Sequence, residues 1–85
     1  MPHYVYILYS ERFGRYYVGS CQNIEERLLR HNAGATTSTK AFRPWQLVYS
    51  EKYETKTEAI KREFEIKKKK SRKYIEYLIG SSSTG

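Results

Sequence analysis

The chain has 85 residues, and 16 Lys+Arg against 9 Asp+Glu give it a formal charge of +7, a pI near 9.6 and a mean hydropathy of −0.80. That length suits one domain, expected over 1–80, and its single cysteine, Cys21, excludes an internal disulfide. With only His3 and His31 beside that cysteine, no zinc spacing exists; no run approaches the roughly 18 apolar residues of a membrane span, so a cytoplasmic protein without a membrane segment is expected.

Tyr4 to Tyr9, a run of aromatic and β-branched residues apolar on both faces, predicts a strand. Tyr16-Tyr17-Val18 follows Gly14 closely enough to make a hairpin, with Gly19 ending the strand or allowing a bulge or a close backbone approach. Asn23, with Glu26 three residues on, predicts the start of a helix that Gly34 can stop. Residues 33–45 are small, polar and aperiodic, and read as a long loop. Gln46 to Ser50 predicts a third strand, and the Thr55-x-x-Glu58 capping box opens a second helix. A shorter amphipathic helix from Ser71 carries Tyr74, Ile75 and Leu78 before Gly80, and residues 81–85 read as a disordered tail. The order ββαβαα predicts an α+β fold with a small antiparallel sheet and helices packed on it.

Nine basic and three acidic residues lie between Lys56 and Lys73, so this window holds +6 of the total +7. Such a field draws polyanions, and nucleic acid is the expected partner, against a solvated helix kept for solubility or a surface for an acidic protein or lipid. Lys67, Lys68, Arg72 and Lys73 are the contacts expected from this helix, and Lys40 and Arg43 those from the long loop.

Two helices carry charges on their apolar faces. In the first, Ile24 and Leu28 form a stripe that Arg27 and His31 complete. In the second, Ala59, Ile60 and Phe64 define the expected buried stripe, with Glu63 inside it, where a carboxylate needs a partner. An Arg27–Glu63 ion pair and a histidine donating to a backbone carbonyl are the structural reading; a catalytic site is the other. Arginine, carboxylate, histidine and several tyrosines in a basic protein suit phosphodiester chemistry. Cys21 lies near a helix start but nothing else marks it as a nucleophile.

Tyr4-Val5-Tyr6, then Tyr17-Val18-Gly19, then Arg27, His31 and Glu63 in Glu-Phe-Glu-Ile-Lys together resemble the GIY-YIG nuclease superfamily. The likeness is to small stand-alone bacterial members related to the nuclease module of the repair protein UvrC, and covers about Tyr4 to Leu78. It implies a three-stranded antiparallel sheet flanked by helices and hydrolysis of DNA phosphodiester bonds with one Mg²⁺ or Mn²⁺, in repair or recombination. By this resemblance Tyr6 and Tyr17 are the motif tyrosines, Arg27 the family arginine, His31 a histidine found in many members and Glu63 the metal carboxylate. Tyr4 stands where the first motif usually has glycine, and no asparagine follows Asn32. A nucleic-acid-binding module with little or no turnover is the competing expectation.

Overall fold

A computed structural model describes residues 1–82. The elements are β1 (His3–Ser10), β2 (Arg15–Cys21), α1 (Ile24–Asn32), α2 (Thr37–Lys40), β3 (Gln46–Tyr53), α3 (Lys56–Lys69) and α4 (Arg72–Ser82). The strands form one antiparallel sheet in the order β2-β1-β3. β1 is apolar on both faces because it is central and covered on both sides. Val5 and Ile7 pack with Ala59 and Ile66 of α3 and Leu78 of α4, while Tyr6 and Leu8 pack with Cys21 and Trp45 on the opposite face. Each of the fully buried Val5, Ile7 and Leu8 side chains contributes about 1.5–3 kcal/mol of burial free energy.

The fold is the expected α+β arrangement, with four local differences. β2 does not end at Gly19 but runs to Cys21, since Gly19 pairs with Tyr6 inside the ladder. β3 continues past Ser50 to Tyr53, because pairing with the start of β1 satisfies its backbone to that point. The long loop contains the single-turn helix α2. α4 runs through Gly80, where the roughly 1 kcal/mol glycine cost falls on a helix already anchored by Tyr74, Ile75 and Leu78. Ser81 and Ser82 thus belong to α4; the remainder of the expected tail lies outside the described residues.

Both predicted caps form. The Asn23 side chain accepts from the Glu26 N–H at 3.0 Å, and Thr55 Oγ1 accepts from the Glu58 N–H at 3.2 Å. The buried stripe of α3, however, is rotated from the expected one: Ala59 and Ile66 are buried and Phe64 is 63% exposed. Ala59, Glu63 and Ile66 are spaced i, i+4, i+7 and share one face, and Phe64 is turned about 100° from Glu63. Among the described residues no helix is long and apolar enough to cross a membrane.

Candidate active site

Tyr6 and Tyr17 stand on the same face of neighbouring strands, their ring centroids 6.3 Å apart. Opposite Tyr6 in the ladder lies Gly19, and a Cβ there would fall 2.6 Å from the Tyr6 hydroxyl oxygen. Glycine at this position is what lets the phenol lie across β2.

The Tyr6 hydroxyl lies 3.1 Å from His31 Nε2, and His31 Nδ1 lies 2.8 Å from Thr39 Oγ1. The Thr39 hydroxyl donates its one proton to the Thr36 carbonyl at 3.4 Å. With that proton assigned to the Thr36 carbonyl, the Thr39 oxygen is assigned as the acceptor for His31 Nδ1–H and Nε2 as the acceptor from the Tyr6 O–H. A directional chain results, from phenol to imidazole to threonine to backbone. His31 and Thr39 are each 1% exposed. Burial, and then the Arg27 charge, hold the histidine below its ordinary value of 6.5, so the ring is neutral at pH 7. Burial, with Tyr17 adding to it and Arg27 opposing, pushes the Tyr6 phenol far above the usual tyrosine range.

Trp45 and Asn32 hold this chain in place. Trp45 Nε1 donates to the Thr39 carbonyl at 3.0 Å, while the Asn32 amide exchanges two hydrogen bonds with the Trp45 backbone, at 2.6 and 3.0 Å. Tyr17 closes the cluster with its ring centroid 4.9 Å from that of His31.

Arg27, one turn before His31, is half-buried and acts electrostatically on Tyr6, Cys21 and His31. The expected Arg27–Glu63 pair does not form. Glu63 approaches from the other face of the sheet, around the edge strand β2, where Ser20 Oγ donates to its Oε1 at 2.7 Å and Lys67 Nζ to its Oε2 at 2.6 Å. Lys67 lies one turn further along the same helix, so the carboxylate meets this cation before it can meet Arg27. The expected backbone-carbonyl partner of His31 is likewise replaced by Thr39, because α2 presents that hydroxyl to the ring.

Two open grooves flank this edge. A polar one of about 440 Å³ lies among Ser20, Cys21, Asn23, Arg27 and Lys56. The other, of about 430 Å³, has a floor of Tyr16, Tyr17 and Ile66 and a rim of Lys67, Lys70 and Arg72. Burial pushes the Cys21 thiol up, which suits packing and not nucleophilic attack.

Glu63 is one carboxylate, and among the described residues no group of three or more His, Cys, Asp or Glu side chains could hold a metal ion. One carboxylate suits a hard divalent cation that keeps its waters and does not suit zinc, and here both its oxygens are held by Ser20 and Lys67.

The other expected contacts are dispersed. Lys68 and Lys73 are exposed on α3 and α4. Arg72 donates to the Gly14 carbonyl at 2.8 Å and to Glu76 at 3.2 Å, and Arg43 donates to the Lys40 carbonyl at 2.9 Å. Thr39, Ser20, Trp45 and Asn32 are site residues that composition and spacing do not single out.

Tyr6, Tyr17 and His31 thus share one face of a helix-flanked antiparallel sheet with Arg27 beside them, and Glu63 lies on the other face. The GIY-YIG catalytic domain family matches residues 2–75, and the chain belongs to that family. Its relatives include a UPF0213 protein of Staphylococcus saprophyticus, 48% identical over 66 residues that cover 76% of this chain and 79% of the relative. A UPF0213 protein of Staphylococcus aureus is 47% identical over the same share of each chain. The solution NMR structure of a UPF0213 protein from Bacillus halodurans, 33% identical, superposes with a TM-score of 0.57 over 94% of this chain and 84% of that one. The chain is thus a small bacterial-type GIY-YIG protein, of a family whose nucleases generally use divalent metal ions and act on DNA.

Proposed function

We propose that residues 1–80 act as a single divalent-metal-dependent endonuclease domain that hydrolyses DNA phosphodiester bonds in the cytoplasm, in repair or recombination. The observation that carries this reading is the 3.1 Å contact between Tyr6 and a neutral, Thr39-anchored His31. A phenol of ordinary pKa near 10 is ionised about one part in a thousand at pH 7, roughly 4 kcal/mol from a ready base, and burial makes Tyr6 harder still to ionise. A standing phenolate is therefore the wrong species. Instead Tyr6 takes a proton from the attacking water as its own proton passes to His31 Nε2, so neither the phenolate nor free hydroxide accumulates. The water oxygen bonds to phosphorus, the bond to the leaving oxygen breaks, that oxygen takes a proton from solvent, and His31, left as imidazolium, returns to the neutral form by giving its proton to water. Arg27 offsets the negative charge that grows on the phosphate. Tyr17, packed on His31, keeps the imidazole aligned.

Glu63 is the residue that would hold one Mg²⁺ or Mn²⁺, which when bound supplies charge stabilisation at the phosphate and the leaving oxygen. Substrate contacts are assigned to Lys40, Arg43, Lys67, Lys68, Arg72 and Lys73, and this binding is salt-sensitive. The test is cleavage of supercoiled plasmid and short oligonucleotides with Mg²⁺ or Mn²⁺ by wild type and Glu63→Ala. Cutting lost in Glu63→Ala supports the reading, and equal cutting by the variant removes the metal assignment. One observation favours the second reading, a binding module without turnover: both Glu63 oxygens are occupied by Ser20 and Lys67. Salt-sensitive DNA binding with no cutting under any of these conditions selects that reading.

A further inference from the structure

We propose that the tip of the β1–β2 hairpin, together with the Lys40–Arg43 segment packed on it, forms a second contact surface for the DNA backbone. Duplex cut at Tyr6 would run along β2 toward this tip. The inference rests on the DNA reading above and adds Arg12, Phe13 and Arg15 to the contacts.

Four cations, Arg12, Arg15, Lys40 and Arg43, are exposed on this surface. Among the described residues none of the four has a carboxylate within ion-pair distance, whereas Arg62, Lys67 and Arg72 of the basic helices are each paired with a glutamate. Glu11 is the single acidic residue in the hairpin turn. The basic tract conspicuous in the sequence is thus partly neutralised by glutamates of β3, α3 and α4, and the hairpin tip is not.

The tip is also built rather than merely charged. Phe13 meets Phe42 edge-to-face with centroids 5.4 Å apart, joining the hairpin to the segment before Pro44. The Arg15 guanidinium lies 4.3 Å from the Phe42 ring centre, and that of Arg12 lies 5.5 Å from the Phe13 ring centre. Arg12, Lys40 and Arg43 border one open cleft of about 510 Å³. Planar guanidiniums held on aromatic rings lose less freedom when they bind, and their forked donors match phosphate oxygens.

Position supplies the last link. Arg15 and Tyr17 lie two apart on β2, on the same face of the sheet, and so about 6.6 Å apart along the strand at 3.3 Å per residue. Tyr6 itself is buried, so a backbone seated on the half-buried Tyr17 meets the exposed Arg15 as the next side chain along this face toward the tip. Such contacts position the duplex and do not read its sequence.

The experiment is fluorescence anisotropy with a labelled 24-base-pair duplex (a length of about two helical turns), without divalent metal, at 50 to 200 mM NaCl. Wild type is compared with Arg12→Ala/Arg15→Ala and with Lys52→Ala/Lys61→Ala, which removes equal charge from the β3 side. All substituted residues are exposed, and thermal melts confirm that each variant folds. For two lost phosphate contacts the fall in affinity across that salt range shrinks by about 12-fold, in the hairpin variant only. Unchanged affinity and salt slope in that variant overturn the proposal, as does equal loss in the β3-side control, which would reflect net charge alone. Failure of wild type to bind duplex at 50 mM NaCl while binding phosphatidylserine vesicles through Arg12 and Arg15 also overturns it, in favour of a lipid surface. Because no step requires cutting, a wild type that binds through the tip but never cleaves leaves this surface standing while the nuclease reading falls.

Discussion

Two tyrosine networks lie on either side of β1, and they differ in whether their charges are matched. On the β3 side Glu51 accepts from Tyr49 and, at 2.7 Å, from Tyr53, and it is gripped by Arg62 through Nε at 2.9 Å and Nη2 at 3.1 Å. Burial works against the Glu51 charge, but Arg62 and the two phenols win and hold the carboxyl below its ordinary value. Burial and the Glu51 hydrogen bond push Tyr49 and Tyr53 to about 12. This network is closed, with charge matched by charge. On the β2 side the residue types are similar, yet Arg27 has no ion-pair partner among the described residues, the histidine is neutral, and the carboxylate stands apart on the other face. The open network keeps an unpaired cation among the described residues, the feature on which the proposed phosphate contact rests; the closed one has no charge left over.

Gly19→Ala should break the open network most severely, since its new methyl must displace the Tyr6 ring. A displacement near 1 Å is expected to cost about 100-fold in cleavage rate, measured on plasmid with protein confirmed folded. Arg62→Ala should do its damage to stability instead. Leaving Glu51 partly buried with only its phenols costs about 2–3 kcal/mol, discounted for its partial exposure, as read by urea denaturation. Folded Arg62→Ala should still cut.

Thr39→Val keeps the shape of the side chain but removes the acceptor for His31 Nδ1–H. Loss of the tautomer preference should slow cleavage by about 10-fold, with Thr39→Ser restoring it. Nitrogen-15 shifts of the His31 ring report the tautomer directly: Nδ1 protonated in wild type, and a shift toward the Nε2-protonated form in Thr39→Val.

Acid should separate the two networks in order. Because folding lowers the His31 pKa, the unfolded chain binds more protons below pH 6.5; the stability this group contributes is full above that pH and is lost as pH falls. The depressed carboxyl of Glu51 acts with the same sign but only below about pH 4.5. Melting temperatures from pH 8 to 3 should therefore fall in two stages, with the first absent in His31→Gln. The smallest effect expected is for Phe64→Ala, within about 0.5 kcal/mol, because that ring faces solvent.

Much of this arrangement was legible in the residues. Arg27 and His31 four apart on a stripe with Ile24 and Leu28, and Glu63 within the apolar face of α3, are periodic signals that survive folding. Phe64 reads as buried on its hydrophobicity alone, while small Ala59 and the more distant Ile66 set the true face. Thr39 was illegible for a different reason. It is one of four consecutive Thr and Ser residues, and only the turn of α2 decides which hydroxyl reaches His31. Ser20 is not legible because Gly19 reads equally as a strand end or as a close backbone approach, and the pairing with Tyr6 that decides for the second and carries β2 onward is a long-range fact.

The central claim is that Tyr6 acts chemically while its counterpart across β1 does not, and one paired measurement addresses it. Tyr6→Phe and Tyr49→Phe remove a single hydroxyl each, and both are compared with wild type for plasmid cleavage with Mg²⁺ or Mn²⁺ and for melting temperature. The account predicts that Tyr6→Phe folds and loses about 10²–10⁴-fold in rate, whereas Tyr49→Phe cuts normally and is less stable by about 1 kcal/mol. Wild-type cutting by folded Tyr6→Phe would contradict it.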